Sequence, residues 1–261
     1  MTERRIEDWK LPLPSGGLLR GHVSYAAGPV SWAVVYVHGF GSTRHGEKAT
    51  ALERACTRHG FPFAAFDFRG HGESTGTMGE LHCAGLIEDL QVIVRSLAER
   101  GIKRLCLVGS SMGGWATAWF TVRHPDPVVA CVLIAPALQF PRGFWARLDE
   151  RQRADWKRTG RLQVKNEWLD TEVGYCLAEE RDRYPLEALQ REWRRPLLVM
   201  HGMRDDVVPY RDSLTFVEGI ASGEIEIRLY RDGDHRLMTR ADEMAEAACT
   251  FFARHAGRCL L

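Results

Sequence analysis

Short apolar runs alternate with longer amphipathic stretches along the chain. Seven runs read as strands: 18–25, 33–37, 62–67, 104–108, 129–134, 197–200 and 224–230. The middle five are nearly continuous in apolar residues, the pattern of strands buried on both faces. Between them, Leu86, Leu90, Val94 and Leu97 recur at helical spacing and predict a helix near 82–100, ended by Gly101. Residues 112–124 predict a second helix, stopped before Pro125. Thr239 and Asp242 read as the cap of a final helix that turns Met244, Ala248, Phe251 and Phe252 toward the sheet. Strands alternating with helices predict an α/β fold: a mostly parallel central sheet with helices on both faces. Residues 137–195 break the alternation. They lack a strand pattern and are rich in Arg, Trp and acids, which predicts a small helical lid insertion. The expected division is a core of 1–136 and 196–261, with 137–195 as lid.

Composition narrows the function classes. A chain of 261 residues, 45% hydrophobic and 26% charged, suits one large globular α/β domain. Lys plus Arg number 35 and Asp plus Glu 34, a net charge of +1, so no whole-molecule field favours nucleic acid or an anionic membrane. Residues 147–161 hold six basic and three acidic residues; this reads as a solvated helix face rather than a patch for an anionic substrate. No segment approaches the roughly 18 apolar residues of a membrane span. The opening MTERRIEDWK lacks the apolar stretch of a secretory signal, and its acids speak against a mitochondrial leader. The cysteines at 56, 83, 106, 131, 176, 249 and 259 are scattered, with no CxxC pair. Cys106 and Cys131 lie in apolar runs as small core residues. A reducing cytoplasm and no metal site are expected.

The chemistry centres on G-x-S-x-G, which places a serine on a tight turn between strand and helix. The chain carries it twice, at Gly109-Ser110-Ser111-Met112-Gly113 and at Gly72-Glu73-Ser74-Thr75-Gly76. Only the first follows an apolar strand and runs straight into a helix. There the turn strains the serine backbone, the glycines remove colliding side chains, and the helix N-terminus favours developing negative charge. Ser111 is therefore the expected nucleophile and Ser74 a turn or capping residue. Ser110 fits neither pattern.

A serine hydroxyl needs a base in contact, and the base needs an orienting carboxylate. In such folds the order is serine, acid, histidine, each after a strand. Asp205 and Asp206 follow the run LLVMHGM, and Asp205, nearer the strand end, is the expected acid. His235 follows the last strand and is the expected base; activity should fall below about pH 6 as it protonates. Asp234, beside it, reads as a turn residue. Two backbone donors should hold the oxyanion: the N–H of Met112 and that of Phe40, in the loop His38-Gly39-Phe40-Gly41-Ser42. His38 reads as a structural hydrogen-bonding residue, and Arg69 and His71 as braces of their loop. Trp115 and Trp119 read as core or pocket wall.

Together, the segments His38-Gly39-Phe40-Gly41, Arg69-Gly70-His71-Gly72-Glu73-Ser74, GSSMGG, HGMRDDVVP and GDHR resemble the α/β-hydrolase superfamily over nearly the whole chain. GSSMGGW and HGMRDDVVPYRDSL followed by DHR are similar to the branch of the mitochondrial palmitoyl-protein thioesterase, or mycophenolic acid acyl-glucuronide esterase, and its bacterial relatives. The resemblance implies the α/β-hydrolase fold, Ser111, Asp205 and His235 as a triad, and acyl thioesters or activated acyl esters as small-molecule substrates. The expected enzyme is a serine hydrolase without metal or organic cofactor, as monomer or homodimer. A cofactor-free haloperoxidase or a carbon–carbon bond hydrolase would use the same triad, and a ligand-binding protein would keep the fold without turnover.

Overall fold

All seven strands form in the computed structural model, which describes residues 5–26, 31–165, 169–221 and 223–256. The first four residues of the opening segment and Cys259 lie outside the described residues. In chain order the elements are β1 (Ile6–Pro12), β2 (Leu18–Ser24), β3 (Trp32–Val37), α1 (Glu47–Arg58), β4 (Phe63–Asp67), α2 (Cys83–Glu99), β5 (Arg104–Ser110), α3 (Met112–Arg123) and β6 (Val128–Ile134). Then come α4 (Phe140–Ala146), α5 (Glu150–Thr159), β7 (Arg161–Lys165), β8 (Asp170–Gly174), α6 (Cys176–Glu179) and α7 (Leu186–Glu192). The chain closes with β9 (Leu197–Gly202), α8 (Tyr210–Glu218), β10 (Ile225–Tyr230) and α9 (Ala241–Ala256).

Eight strands make one sheet in the order β1-β2-β4-β3-β5-β6-β9-β10. Strand β2 runs antiparallel to β1 and β4, and the remaining pairs are parallel. This is the α/β-hydrolase fold. The inner strands β3, β4, β5, β6 and β9 are buried on both faces, so neighbours along one strand enter opposite cores. Val35, Leu107 and Val199 pack with α2 and α3, whereas Val34, Val108 and Leu198 pack with α1 and α9. In α2 the buried stripe is Leu86, Leu90, Ile93 and Leu97, with Val94 at its margin. Met244, Ala248, Phe251 and Phe252 of α9 are buried as the pattern predicted.

Three features depart from the expected elements. Strand β1 is an additional edge strand; in IEDWKLP only Trp9 is fully buried, so no apolar run marks it. Thr239 lies inside a single 3-10 turn, Met238–Arg240, that leads into α9, and so is not its N-cap. The segment 137–195 is not purely helical, because β7 and β8 pair antiparallel. Each of these strands has five residues and a mostly polar sequence, too short for periodicity to register.

The segment between β6 and β9 is fastened to the sheet domain. Trp156 is buried and donates its indole N–H to Val173 O at 3.1 Å. The buried Glu180 accepts from the backbone N–H groups of Cys83 (2.5 Å) and Ala84 (3.4 Å), the first residues of α2. It therefore caps a helix whose own His82 makes no side-chain cap bond. The basic stretch 147–161 is largely exposed and pairs locally, Arg158 with Asp155 in α5 and Arg161 of β7 with Glu172 of β8. Among the described residues no helix is long and apolar enough to cross a membrane.

Candidate active site

Three loops converge at the C-terminal ends of β5, β9 and β10, where open parallel sheets gather their reacting groups. Between β5 and α3, Ser111 is held at φ +52° and ψ −117°, a positive-φ backbone conformation that costs about 1–3 kcal/mol and persists only where its surroundings enforce it. The enforcing bonds are on both sides: Ser111 N–H donates to Ile134 O (2.9 Å), and Ala137 N–H donates to Ser111 O (3.0 Å). The flanking glycines are sterically required. A Cβ on Gly113 would stand 2.7 Å from Val37 C, and one on Gly109 2.8 Å from Gly114 Cα.

His235 and Asp205 complete the cluster. Ser111 Oγ lies 3.1 Å from His235 Nε2, and His235 Nδ1 lies 2.7 Å from Asp205 Oδ2. An ionised carboxylate only accepts, so Nδ1 carries the proton and Nε2 is free to accept from the serine hydroxyl. The Asp205 side chain is fully buried, while Asp206 is exposed. The Oδ1 atom of Asp205 accepts from the N–H groups of Val207 (2.8 Å) and Val208 (2.7 Å). Burial alone would push this carboxyl up, but the hydrogen bonds from His201 and His235, the His235 charge and the Val208 N–H outweigh it. They hold Asp205 well below the usual carboxylate range. Asp234 accepts from Leu237 N–H at 2.7 Å and shapes the turn, as its position suggested.

The loop after β3 passes directly over the serine: a Cβ on Gly39 would be 3.2 Å from Ser111 Cβ. Met112 opens α3, where the first N–H groups have no intrahelical acceptor. Among the described residues neither the Phe40 nor the Met112 N–H has a hydrogen-bond partner. Two donors are thus available beside Ser111. The Phe40 ring meets Phe140 (6.4 Å) and Phe144 (5.4 Å) of α4, which makes an apolar wall against the same loop.

Ser74, His38, Arg69 and His71 brace the loops around the site. Ser74 donates to Asp67 O (2.6 Å) and accepts from Arg20 N–H (2.9 Å), so the second G-x-S-x-G is a structural turn. His38 is fully buried between Gly39 O (2.8 Å) and Phe68 N–H (3.0 Å). Burial first, and then neighbouring His71, pushes its pKa down to about 3, so it stays neutral. Arg69 bonds Asp89 and Glu88 on α2, and the His71 ring leans on Arg69 O (3.1 Å). Trp115 and Trp119 are buried and meet Tyr184 at 4.9 and 5.2 Å, so they are core beneath the insertion.

Three further side chains bear on the site without a motif to mark them. His201, at the end of β9, contacts Asp205 Oδ2 at 2.9 Å. Lys48 of α1 donates to Arg236 O at 2.8 Å, beside the base. Arg44 is buried and binds Asp67 and Glu73, tying the oxyanion-side loop to the loop after β4. A histidine closing an apolar strand four residues before the acid was the one available signal for His201.

Comparison with known proteins places the chain among hydrolases. Residues 28–167 match the Hydrolase_4 family model, described as serine aminopeptidase, S33. The mitochondrial palmitoyl-protein thioesterase ABHD10 of Mus musculus is 28% identical over 219 residues, covering 80% of this chain and 70% of that protein. A putative hydrolase from Agrobacterium vitis S4 superposes with a TM-score of 0.83 at 25% identity, over 95% of this chain and 99% of the other. The solved mouse alpha/beta hydrolase domain-containing protein 10 gives 0.78 at 25% identity, over 94% and 96%.

Proposed function

The chain belongs to the Hydrolase_4 (serine aminopeptidase, S33) family and is a hydrolase of ester or thioester bonds, and on that premise we propose that Ser111, His235 and Asp205 drive acyl transfer to water. The observation that carries this reading is the continuous contact from Asp205 through His235 to Ser111. His235 Nε2 takes the Ser111 proton as Oγ attacks the acyl carbonyl. The N–H groups of Phe40 and Met112 receive the developing oxyanion. Imidazolium His235, steadied by ionised Asp205, then protonates the departing alkoxide or thiolate. Water, deprotonated by the same ring, attacks the acyl-enzyme, and collapse of the second tetrahedral intermediate releases the acid and restores Ser111.

The substrate is a small acyl thioester or activated acyl ester, its acyl group lying against Phe40, Phe140 and Phe144. The segment 137–195 acts as the lid that sets acyl length. The proposed compartment is a reducing cytoplasm, from scattered cysteines without a CxxC pair.

A fluorophosphonate probe tests the proposal. Labelling is expected at Ser111 and lost in Ser111→Ala. A panel of acyl esters and thioesters then ranks substrates. Labelling at Ser74 instead would sink the assignment, and turnover only with halide and peroxide would move the reading to a cofactor-free haloperoxidase.

A further inference from the structure

Asp205 has a second histidine. His201 ends β9 with no exposure, and its Nε2 faces two oxygens, Asp205 Oδ2 at 2.9 Å and Val208 O at 3.1 Å. A carboxylate and a carbonyl only accept, so Nε2 carries a proton. On the far side of the ring, Nδ1 is 2.8 Å from the hydroxyl of Ser213 on α8, also fully buried. Among the described residues Ser213 Oγ has no other hydrogen-bond partner. Its proton has one acceptor, the Nδ1 lone pair, which selects the neutral tautomer protonated on Nε2. The ring is thus held at both ends.

The carboxylate beyond it is saturated. Asp205 presents about four acceptor positions, and four N–H groups occupy them: Val207 and Val208 on Oδ1, His235 and His201 on Oδ2. We propose that His201, locked by Ser213, is a positioning residue for the reaction: it fixes the Asp205 carboxylate so that Oδ2 holds His235 toward Ser111. The proposal rests on the Ser111–His235–Asp205 reading above. It also explains a buried polar pair that neither the sheet nor its cores require.

Removing His201 has two calculable consequences. The carboxylate loses one of two donors on the oxygen that faces His235, so its orientation loosens. The negative charge shared between two imidazole N–H groups then falls on His235 alone, which favours its charged form. The other charged groups nearby are Asp212 on α8, Lys48 on α1, and Asp234 and Arg236 flanking the base. All four stay in place in the variants below.

The experiment measures kcat, KM and the pH profile of the full chain on a neutral p-nitrophenyl ester, normalised to sites titrated with fluorophosphonate. His201→Phe is expected to lower kcat by on the order of 10–100-fold, as when an outer partner of a reacting group is removed. KM should stay near wild type, and the acid limb should move to higher pH. His201→Gln, whose amide can donate toward Oδ2, should recover most of kcat. Ser213→Ala should shift kcat and the limb in the same direction by less. Unchanged kcat and limb in His201→Phe overturn the proposal. If that variant does not fold, unchanged kcat and limb in Ser213→Ala overturn it. Failure of wild type to label at Ser111 would instead remove the triad reading itself.

Discussion

At the scale of single residues, the site depends on backbone and carboxylate geometry that small changes disrupt. Asp205→Asn keeps size but presents an amide donor to His235 and favours the wrong tautomer; kcat should fall on the order of 10⁴-fold. Asp206→Asn, exposed one residue later, should leave kcat near wild type. Equal losses in both would reject Asp205 as the acid. Gly113→Ala would drive a methyl group into Val37 and His38 backbone; unfolding measurements should show a loss of about 1–3 kcal/mol or more. Asp205 also governs acid stability. Its folded pKa is depressed, so its contribution is complete above the unfolded value of about 3.9 and is lost as pH falls through the lower folded value. Asp205→Asn should therefore flatten the acid side of a stability-versus-pH curve.

At the scale of elements, the machinery depends on side chains that bridge one element to another. Glu180, carried by the insertion, satisfies the first N–H groups of α2. Glu180→Ala should cost about 0.5–2 kcal/mol, the range for a lost helix cap. It should also speed proteolytic nicking within 137–195; an unchanged digestion pattern would show that the cap does not anchor the segment. Lys48 does similar work across the site, linking α1 to the loop that carries His235. Burial first, with repulsion from Arg236, lowers the pKa of Lys48 to about 8.

At the scale of the whole molecule, the insertion shares its core with the sheet. Phe140, Trp156, Leu177, Tyr184 and Leu189 belong to the same hydrophobic cluster as Val35, Leu107 and Trp115. Denaturant unfolding is therefore expected as one transition, coincident by far-UV and near-UV circular dichroism. Two separated transitions would mean that 137–195 melts independently. With a net charge of +1, long-range steering is weak, so kcat/KM for a neutral ester should change little with added salt.

The sequence by itself determined the α/β class, since strands buried on both faces write unbroken apolar runs and helices write a stripe, and the resemblance of its motifs implied the α/β-hydrolase version of it. It also singled out Ser111, because only one of two G-x-S-x-G copies joins a strand to a helix, and it ordered Asp205 and His235 by the strands they follow. Only the tertiary structure decided the rest. β1 has only one fully buried residue, and β7 and β8 are short and mostly polar, so their pairing leaves no apolar run to read. Glu180 capping α2 and Lys48 reaching Arg236 join residues 97 and 188 positions apart. His201 and Ser213 lie 12 residues apart on a strand and a helix, and no local pattern shows that both serve one carboxylate. Such contacts are set by how the helices pack on the sheet, which no short window of sequence contains.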